Sequence, residues 1–177
     1  MLVFKTLLPL FFALMTQLTL FDFDKNSDLS QWKTVDDVVM GGRSDGNFYL
    51  SKAGHGIFTG TISTENNGGF SSVQYRFQKT NTAPYKKYLL RIKGDGKRYQ
   101  FRIKSDVSHP HSYVHYIQTS GSWQLVEIPF AQMYATFRGR KLDLPNFQGG
   151  TLEQIGFLTG NKRNENFKLE IDFIKVE

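Results

Sequence analysis

The sequence predicts a single all-β domain, a two-sheet sandwich or jelly roll, behind a short hydrophobic leader. Three observations carry the prediction: apolar and polar residues alternate with period two over about ten short runs, turn-forming residues separate the runs, and helical periodicity is nearly absent. Because no helical segments alternate with the runs, a parallel sheet of the α/β kind is excluded. The 177 residues are ample for one hydrophobic core and short for two.

The leader is assigned to residues 1–17. It carries one cation, Lys5, followed by an apolar run from Thr6 to Met15 that is too short to span a bilayer comfortably. This is the length of the apolar region of a signal peptide, although no clean small-x-small cleavage motif follows. The sequence therefore predicts an exported or periplasmic protein. A cytoplasmic location and attachment to a membrane through the leader are the alternatives.

Residues 18–177 form the single predicted domain. Its longest interruption, residues 131–154, is predicted to be an irregular segment that crosses one end of the sandwich. Trp32 and Trp123 follow polar turn residues near strand starts, so both are expected in the core, with stacking on a ligand as the less favoured alternative. The predicted strands lie at residues 18–23, 48–50, 56–62, 70–77, 88–93, 98–104, 113–118, 123–128, 155–158 and 167–176.

The clearest pair of runs is residues 88–93 and 98–104. The short connection Gly94-Asp95-Gly96 supplies the glycines that a tight turn needs, so the two runs are predicted to form a β-hairpin. Alternation places the apolar residues of both runs on one side. The other side carries the cations Arg91, Lys93, Arg102 and Lys104.

The composition limits the classes of function. A net charge of +6 favours anionic partners, although lysines spread along strands also serve solubility. The absence of Cys excludes disulfide scaffolds, thiolate zinc sites and thiol nucleophiles. The sequence also lacks a paired-carboxylate hydrolase pattern and a phosphate-binding loop.

Two strings have the residue types of a metal site without its geometry. The acidic string from Asp22 to Asp28 begins like an EF-hand loop, but Ser27 and Lys33 stand where that loop requires Gly and Glu. A structural calcium site of another geometry stays open. The second string has the spacing H-x-H-x₃-H, formed by His109, His111 and His115, with Pro110 making the first pair a loop. We therefore expect no metal and no other cofactor.

Residues 42–46 read G-x-S-x-G, with Ser44 in the position of a hydrolase nucleophile. That motif works only on a sharp turn between a strand and a helix. Here the chain continues into a strand-type run at residues 47–50, so the string predicts a glycine turn. No catalytic residue is assigned, and the protein is predicted not to be an enzyme.

Longer strings carry a family resemblance. They are D-D-V-V-M-G-G-R-S at residues 36–44, N-N-G-G-F at residues 66–70 and G-D-G-K-R-Y at residues 94–99, supported by S-W at 122–123, I-P-F at 128–130 and F-R-G at 137–139. In this order and at these separations they resemble the complex I intermediate-associated protein 30 family, from about residue 20 to residue 177. The signal-like leader and the lack of flanking domains suggest a bacterial member.

The resemblance implies a galactose-binding-like jelly roll, in agreement with the strand pattern. It also implies a non-catalytic assembly factor or chaperone, because the mitochondrial member assists intermediates of NADH:ubiquinone oxidoreductase. The expected partner is a protein, such as an assembly intermediate of a membrane complex, and the expected state is a monomer. A carbohydrate-binding module is the first alternative, and nucleic-acid binding through the basic hairpin is a less favoured one.

The same strings supply the candidate binding residues. Glycines place bare backbone where side chains would obstruct, either for tight turns or for close approach of a ligand. Two interpretations stay open: a hydrogen-bond network that braces one end of the sandwich, or a recognition surface. The candidates are Asp37, Met40, Gly41, Gly42, Ser44, Asn66, Asn67, Gly68, Gly69, Phe70, Asp95 and Tyr99.

Overall fold

The computed structural model describes residues 17–177, without the side chains of Val39 and Met40. The predicted leader therefore lies outside the described residues apart from Gln17. The described part consists of strands joined by turns and three short 3-10 turns, at Asp37–Met40, Glu65–Asn67 and Phe130–Gln132. None of its helical turns is long and apolar enough to cross a membrane.

The strands pack as two antiparallel sheets. One has six strands in the order β3-β4-β13-β6-β9, with β1 also paired to β13, and the other has seven in the order β11-β10-β8-β7-β12-β5-β2. The strands are β1 (Leu18–Asp22), β2 (Trp32–Asp36), β3 (Asp45–Leu50), β4 (Gly56–Ile62), β5 (Ser71–Asn81), β6 (Lys87–Lys93), β7 (Arg98–Lys104), β8 (Ser112–Gln118), β9 (Trp123–Pro129), β10 (Tyr134–Phe137), β11 (Arg140–Lys141), β12 (Thr151–Thr159) and β13 (Glu165–Val176).

The hydrophobic core lies between the two sheets. Every second residue of the central strands points inward, as period-two alternation requires. Across the interface the rings of Tyr88 on β6 and Phe101 on β7 lie 5.0 Å apart between centroids. Neither side chain is accessible to solvent. The all-β sandwich predicted from the sequence is therefore confirmed.

The predicted hairpin is wrong. β6 pairs with β9 and β13 in the six-stranded sheet, whereas β7 pairs with β8 and β12 in the seven-stranded sheet. The connection between them crosses from one sheet to the other. Alternation identifies the buried side of a strand, but two strands that face each other across a core bury their apolar sides just as hairpin partners do. The cations Arg91 and Lys93 consequently point away from Arg102 and Lys104.

Two further elements differ from the prediction. Residues 131–154 are not one irregular segment, because they contain β10, β11 and the start of β12. β2 was not predicted, since its residues were assigned only to a motif. Trp32 lies in the core as expected. Trp123 instead lies half-buried on the outer face of the six-stranded sheet, with the Arg91 guanidinium 4.6 Å from its ring centroid.

Candidate functional site

The first group of predicted site residues forms a loop network at one end of the sandwich, where β2 and β4 end and β5 begins. Its centre is Asp37, whose side chain is inaccessible to solvent. One carboxylate oxygen accepts from the Ser44 N–H at 2.9 Å, and the other accepts from the Ser44 hydroxyl at 2.6 Å. The second oxygen also accepts from the N–H groups of Gly69 and Phe70. We call these four residues the Asp37 cluster.

The Asp37 cluster keeps its carboxylate charged without a cation. Burial by itself would raise the pKa of Asp37, but the hydrogen bonds from Gly69, Ser44 and Phe70 outweigh burial and hold the pKa below its ordinary value. The hydroxyl of Ser44 is occupied by this bond and the chain continues directly into β3. The G-x-S-x-G string is therefore the glycine turn that the sequence predicted.

Two of the predicted glycines are explained by this carboxylate. A Cβ on Gly42 would lie 2.3 Å from Asp37 Cγ, and one on Gly68 would lie 2.6 Å from Asp37 Oδ2. Both positions must therefore lack a side chain for the carboxylate to fit between the loops. Gly41 is different, because its φ of +86° leaves a Cβ in open space. Its predicted neighbour Met40 ends the first 3-10 turn.

The predicted asparagines lie on the surface of the same end. Asn66 donates from its amide nitrogen to the Gly41 carbonyl at 3.1 Å, which ties the two glycine loops together. Asn66 and Asn67 are both exposed and both have positive φ, 55° and 60°. Asparagine adopts this backbone conformation more readily than most residues. These two residues shape the loop, and their exposed positions leave them accessible to a partner.

Asp95 and Tyr99 belong to a separate network at the same end, where β6 ends and β7 begins. The Asp95 carboxylate accepts from the Tyr99 hydroxyl at 2.9 Å, from Lys97 Nζ at 2.7 Å and from the Lys168 N–H at 3.0 Å. Burial, and then the Asp95 charge, raises the pKa of the Tyr99 phenol. This network ties the crossing between the two sheets to the start of β13. The predicted residues are thus divided between two networks.

A groove with a volume of about 920 Å³ lies on the outer face of the seven-stranded sheet. Its floor consists of the outward side chains of β5, β12, β7 and β8, and its walls are the strands β10 and β11 on one side and the loop at residues 68–70 on the other. Gly68, Gly69 and Phe70 therefore belong both to the predicted site and to the groove rim. The other predicted residues whose side chains the structure describes do not line it.

The groove is cationic, and we call it the cationic groove. Neither Asp nor Glu is among its lining residues, whereas six basic side chains are. Within residues 17–177 these six make no salt bridge, and residues 1–16 contain no acidic residue that could supply one. The basic residues are Arg76, Arg102, Lys104, Arg138, Lys141 and Lys162.

Three of these cations meet on the floor. Gln154 on β12 is the register partner of both Arg76 on β5 and Lys104 on β7. Gly156, two residues further, is the partner of Arg102, so bare backbone lies beside that guanidinium. Burial, and then the charges of Arg76 and Arg102, lowers the pKa of the Lys104 ammonium. Burial also lowers the pKa of Arg102. The floor therefore holds a cluster of like charges.

Neutral groups orient these cations. Arg102 Nη1 donates to the Gln100 amide oxygen at 2.7 Å, and Arg76 Nε donates to that of Gln154 at 3.0 Å. Lys104 Nζ donates to the His109 carbonyl. A guanidinium has five N–H donors, so each arginine keeps donors beyond the one used here.

Two tyrosines stand at the wall of the groove, Tyr116 on β8 and Tyr134 on β10. The Arg98 guanidinium lies 4.5 Å from the Tyr116 ring centroid, and Lys141 Nζ lies 5.3 Å from that of Tyr134. Both contacts are of the cation-π kind. One face of each ring is therefore covered by a cation of this chain.

Sequence reasoning missed the groove. It placed Arg102 and Lys104 on the exposed side of a hairpin and left Tyr134 in an irregular segment. The polar residues on the outer side of consecutive strands could have indicated the groove. Gln100, Arg102 and Tyr116 alternate with core residues and therefore face outward. Which other strands lie beside them depends on the sheet order, which alternation does not specify.

The candidate metal strings do not gather ligands within the described residues, where no three His, Asp or Glu side chains form a metal-binding group. His109 and His111 stack at 5.3 Å between ring centroids, while His115 lies on β8. In the acidic string, Asp24 accepts from the Asn26 N–H at 2.7 Å and Asp28 from the Ser30 N–H at 2.8 Å. These carboxylates stabilise local turns.

Comparison with known proteins places the chain in a family. Residues 21–171 match the family model described as "Complex I intermediate-associated protein 30". The chain is 28% identical over 180 residues to the mitochondrial complex I intermediate-associated protein 30 of Mus musculus, covering 87% of this chain and 54% of that protein. It is 26% identical over 188 residues to that of Drosophila melanogaster, covering 89% and 62%. It therefore spans little more than half the length of these curated relatives.

Among solved structures, the chain is similar to the family 11 carbohydrate-binding module of a cellulosomal cellulase of Clostridium thermocellum. The TM-score is 0.67 at 18% identity, and the match covers 91% of this chain and 94% of that one. At this identity the likeness shows the fold alone. It confirms the predicted galactose-binding-like jelly roll.

Proposed function

Because the chain belongs to the complex I intermediate-associated protein 30 family, we propose that it is a non-catalytic binding domain that holds a partner in the cationic groove. One observation carries the proposal: the groove is a large concavity, and it presents oriented donors that no carboxylate of the described residues pairs with. The polar residues of the Asp37 cluster, in contrast, are fully used by the protein itself.

For the partner, the family name suggests a protein, such as an intermediate in the assembly of a membrane complex. The curated relatives bear that name, and this chain corresponds to about half of each. The loop at residues 68–70 would bring the partner to the predicted site as well, since it forms the rim of the groove. Export through the predicted leader would place this interaction in the periplasm.

A carbohydrate is the second candidate. The groove lies on the face of the sheet and its floor strands are paired on both sides, so a peptide cannot add to the floor as a further strand. Amide and hydroxyl side chains are frequent on its surface, including Gln74, Gln154 and Ser112. Such groups donate and accept hydrogen bonds, as sugar hydroxyls require. The fold likeness to a carbohydrate-binding module agrees with this candidate.

Site-specific photocrosslinking tests the location. A photoreactive residue replaces Tyr116 in the groove, and a matched variant carries it at Leu125, which is 60% exposed on the outer face of the six-stranded sheet. In cells that make the protein we expect adducts from position 116 only. Mass spectrometry of the adducts then distinguishes a protein from a saccharide. Adducts from position 125 alone would place the binding surface on the other sheet and overturn the proposal.

A further inference from the structure

We propose that the cationic groove binds an acidic oligosaccharide, whose oxyanion substituents are held by Arg76, Arg102 and Lys104. The inference rests on the proposed function for the location of the site and goes beyond it by naming the ligand. Its first support is a contrast within the molecule. The partly buried cations Lys87 and Lys97 each have a carboxylate within 4 Å, whereas the partly buried Arg102 and Lys104 and the exposed Arg76 have none in the described chain.

That contrast has a physical meaning. A partly buried cation loses hydration, and a neighbouring carboxylate or an external anion can compensate. Burial lowers the pKa of Lys104 most, and the charges of Arg76 and Arg102 lower it further, so repulsion among the groove cations adds to the cost of lost hydration. An arrangement of this kind is stabilised when a ligand brings the negative charge. The planar donor pattern of a guanidinium fits a carboxylate or a sulfate ester.

The neutral groups of the groove identify the rest of the ligand. Around the cations lie the amides of Gln74, Gln100 and Gln154 and the hydroxyl of Ser112. A ligand that uses both sets must carry hydroxyl groups as well as oxyanions, which describes a saccharide with uronate or sulfate groups. The volume of about 920 Å³ lies near the upper end of the usual range for small-ligand sites, so it accommodates several sugar rings.

The same lining disfavours the other occupants. A neutral saccharide would leave the cation cluster uncompensated and would meet tyrosine rings whose one face is already covered by Arg98 and Lys141. Single-stranded nucleic acid is usually bound through bases stacked on exposed aromatic faces, and here those faces are partly occupied for the same reason. An acidic peptide would have to bind through its side chains alone, because the floor strands have no free edge.

Calorimetric titration of the protein tests the inference with defined probes. They are an oligogalacturonate, a sulfated galactose oligosaccharide, a neutral mixed-linked glucan oligosaccharide, a polyglutamate peptide and a single-stranded oligonucleotide. We expect binding of one or both acidic saccharides that weakens as salt is raised. The two acidic arms distinguish a carboxylate from a sulfate. Tightest binding of the neutral glucan, the peptide or the oligonucleotide, or no binding of either acidic saccharide, overturns the inference.

Binding by single-residue variants tests whether the ligand lies in the groove. Arg102→Gln should lower the affinity for the acidic saccharide at least tenfold. Arg102→Lys keeps the charge but lacks the planar donor pattern, so it should lower the affinity by an intermediate amount. Lys168→Gln, on the other sheet, is the matched control and should bind like the unmodified protein. Circular dichroism melting shows that each variant is folded. Equal affinity of Arg102→Gln and Lys168→Gln would show that the saccharide does not bind in the cationic groove. If photocrosslinked adducts form at position 116 but no acidic saccharide binds, the proposed ligand is wrong while the proposed function of the groove is retained.

Discussion

The Asp37 cluster and the cationic groove differ in how their charges are compensated. The Asp37 carboxylate is surrounded by donors from its own chain, which lower its pKa and bond both of its oxygens. The groove cations have neutral acceptors that orient them but no carboxylate. A charge satisfied within the chain stabilises the fold, whereas a charge that is positioned and left uncompensated is available to a ligand.

The largest effect is expected from Asp37→Ala. The change leaves the N–H groups of Ser44, Gly69 and Phe70 without their acceptor, and each unpaired buried donor costs about 1–3 kcal/mol. We expect a loss of about 3–5 kcal/mol in the free energy of unfolding, measured by urea denaturation. Asp143→Ala, at an exposed position, is the control and should change it by less than about 0.5 kcal/mol. Equal losses in both variants would show that the cluster does not brace the fold.

Gly42→Ala should have the next largest effect. The new Cβ would collide with the Asp37 carboxylate, so we expect a loss of about 2–3 kcal/mol. Gly41→Ala has only its positive φ to overcome, which costs about 1 kcal/mol. Thermal melting of the two single variants compares them directly. If Gly41→Ala were the more damaging change, backbone conformation rather than the carboxylate would explain the glycine pair.

Acid should weaken the same cluster. Because the pKa of Asp37 is lower in the folded protein than in the unfolded chain, its contribution to stability is complete above the unfolded pKa of about 4. The contribution is lost as pH falls through the lower folded value. Urea midpoints between pH 2 and pH 7 should therefore decline less steeply below pH 4 in Asp37→Asn than in the unmodified protein. Parallel curves would mean that other carboxyl groups dominate the acid response.

A smaller effect, of opposite sign, is expected from the groove. Arg102→Met keeps an unbranched apolar side chain and removes an uncompensated charge, so the free energy of unfolding should stay the same or rise by about 1 kcal/mol. Arg91→Met removes a guanidinium that is paired with Asp172 and lies over Trp123, and should lose about 1 kcal/mol. Urea denaturation of both variants makes the comparison. A clear loss in Arg102→Met would make this arginine a structural residue.

The smallest effect concerns salt. Raising the sodium chloride concentration from 0.01 to 1 M shortens the screening length and weakens the repulsion among the groove cations. We expect the unmodified protein to gain a few tenths of a kcal/mol relative to Arg102→Met. Thermal melting in the two salts, without ligand, measures the difference. An identical gain in both proteins would show that the three cations do not repel one another appreciably.

The sequence was most informative where a pattern is local. Alternation located β4 and β7 with their observed bounds, and the glycine strings named the loops that hold Asp37. It failed for β10, because four residues, Tyr134–Phe137, are too few for a period-two pattern to stand out. The hairpin failed for another reason, since Gly94 and Gly96 permit a sharp change of direction but do not specify which sheet the chain enters next.

By itself the sequence determined the all-β class through alternation and the family through its motif strings, because both patterns depend on neighbours along the chain. It named residues of the loop network without deciding whether they brace the fold or bind a partner. Only the tertiary structure decided that Asp37 is fully buried and that Arg76, Arg102 and Lys104 share one floor. Those three residues lie on β5 and β7, strands that pair not with each other but with β12 between them. The groove is therefore a product of strand order, which is set by the packing of the whole sandwich and not by any segment.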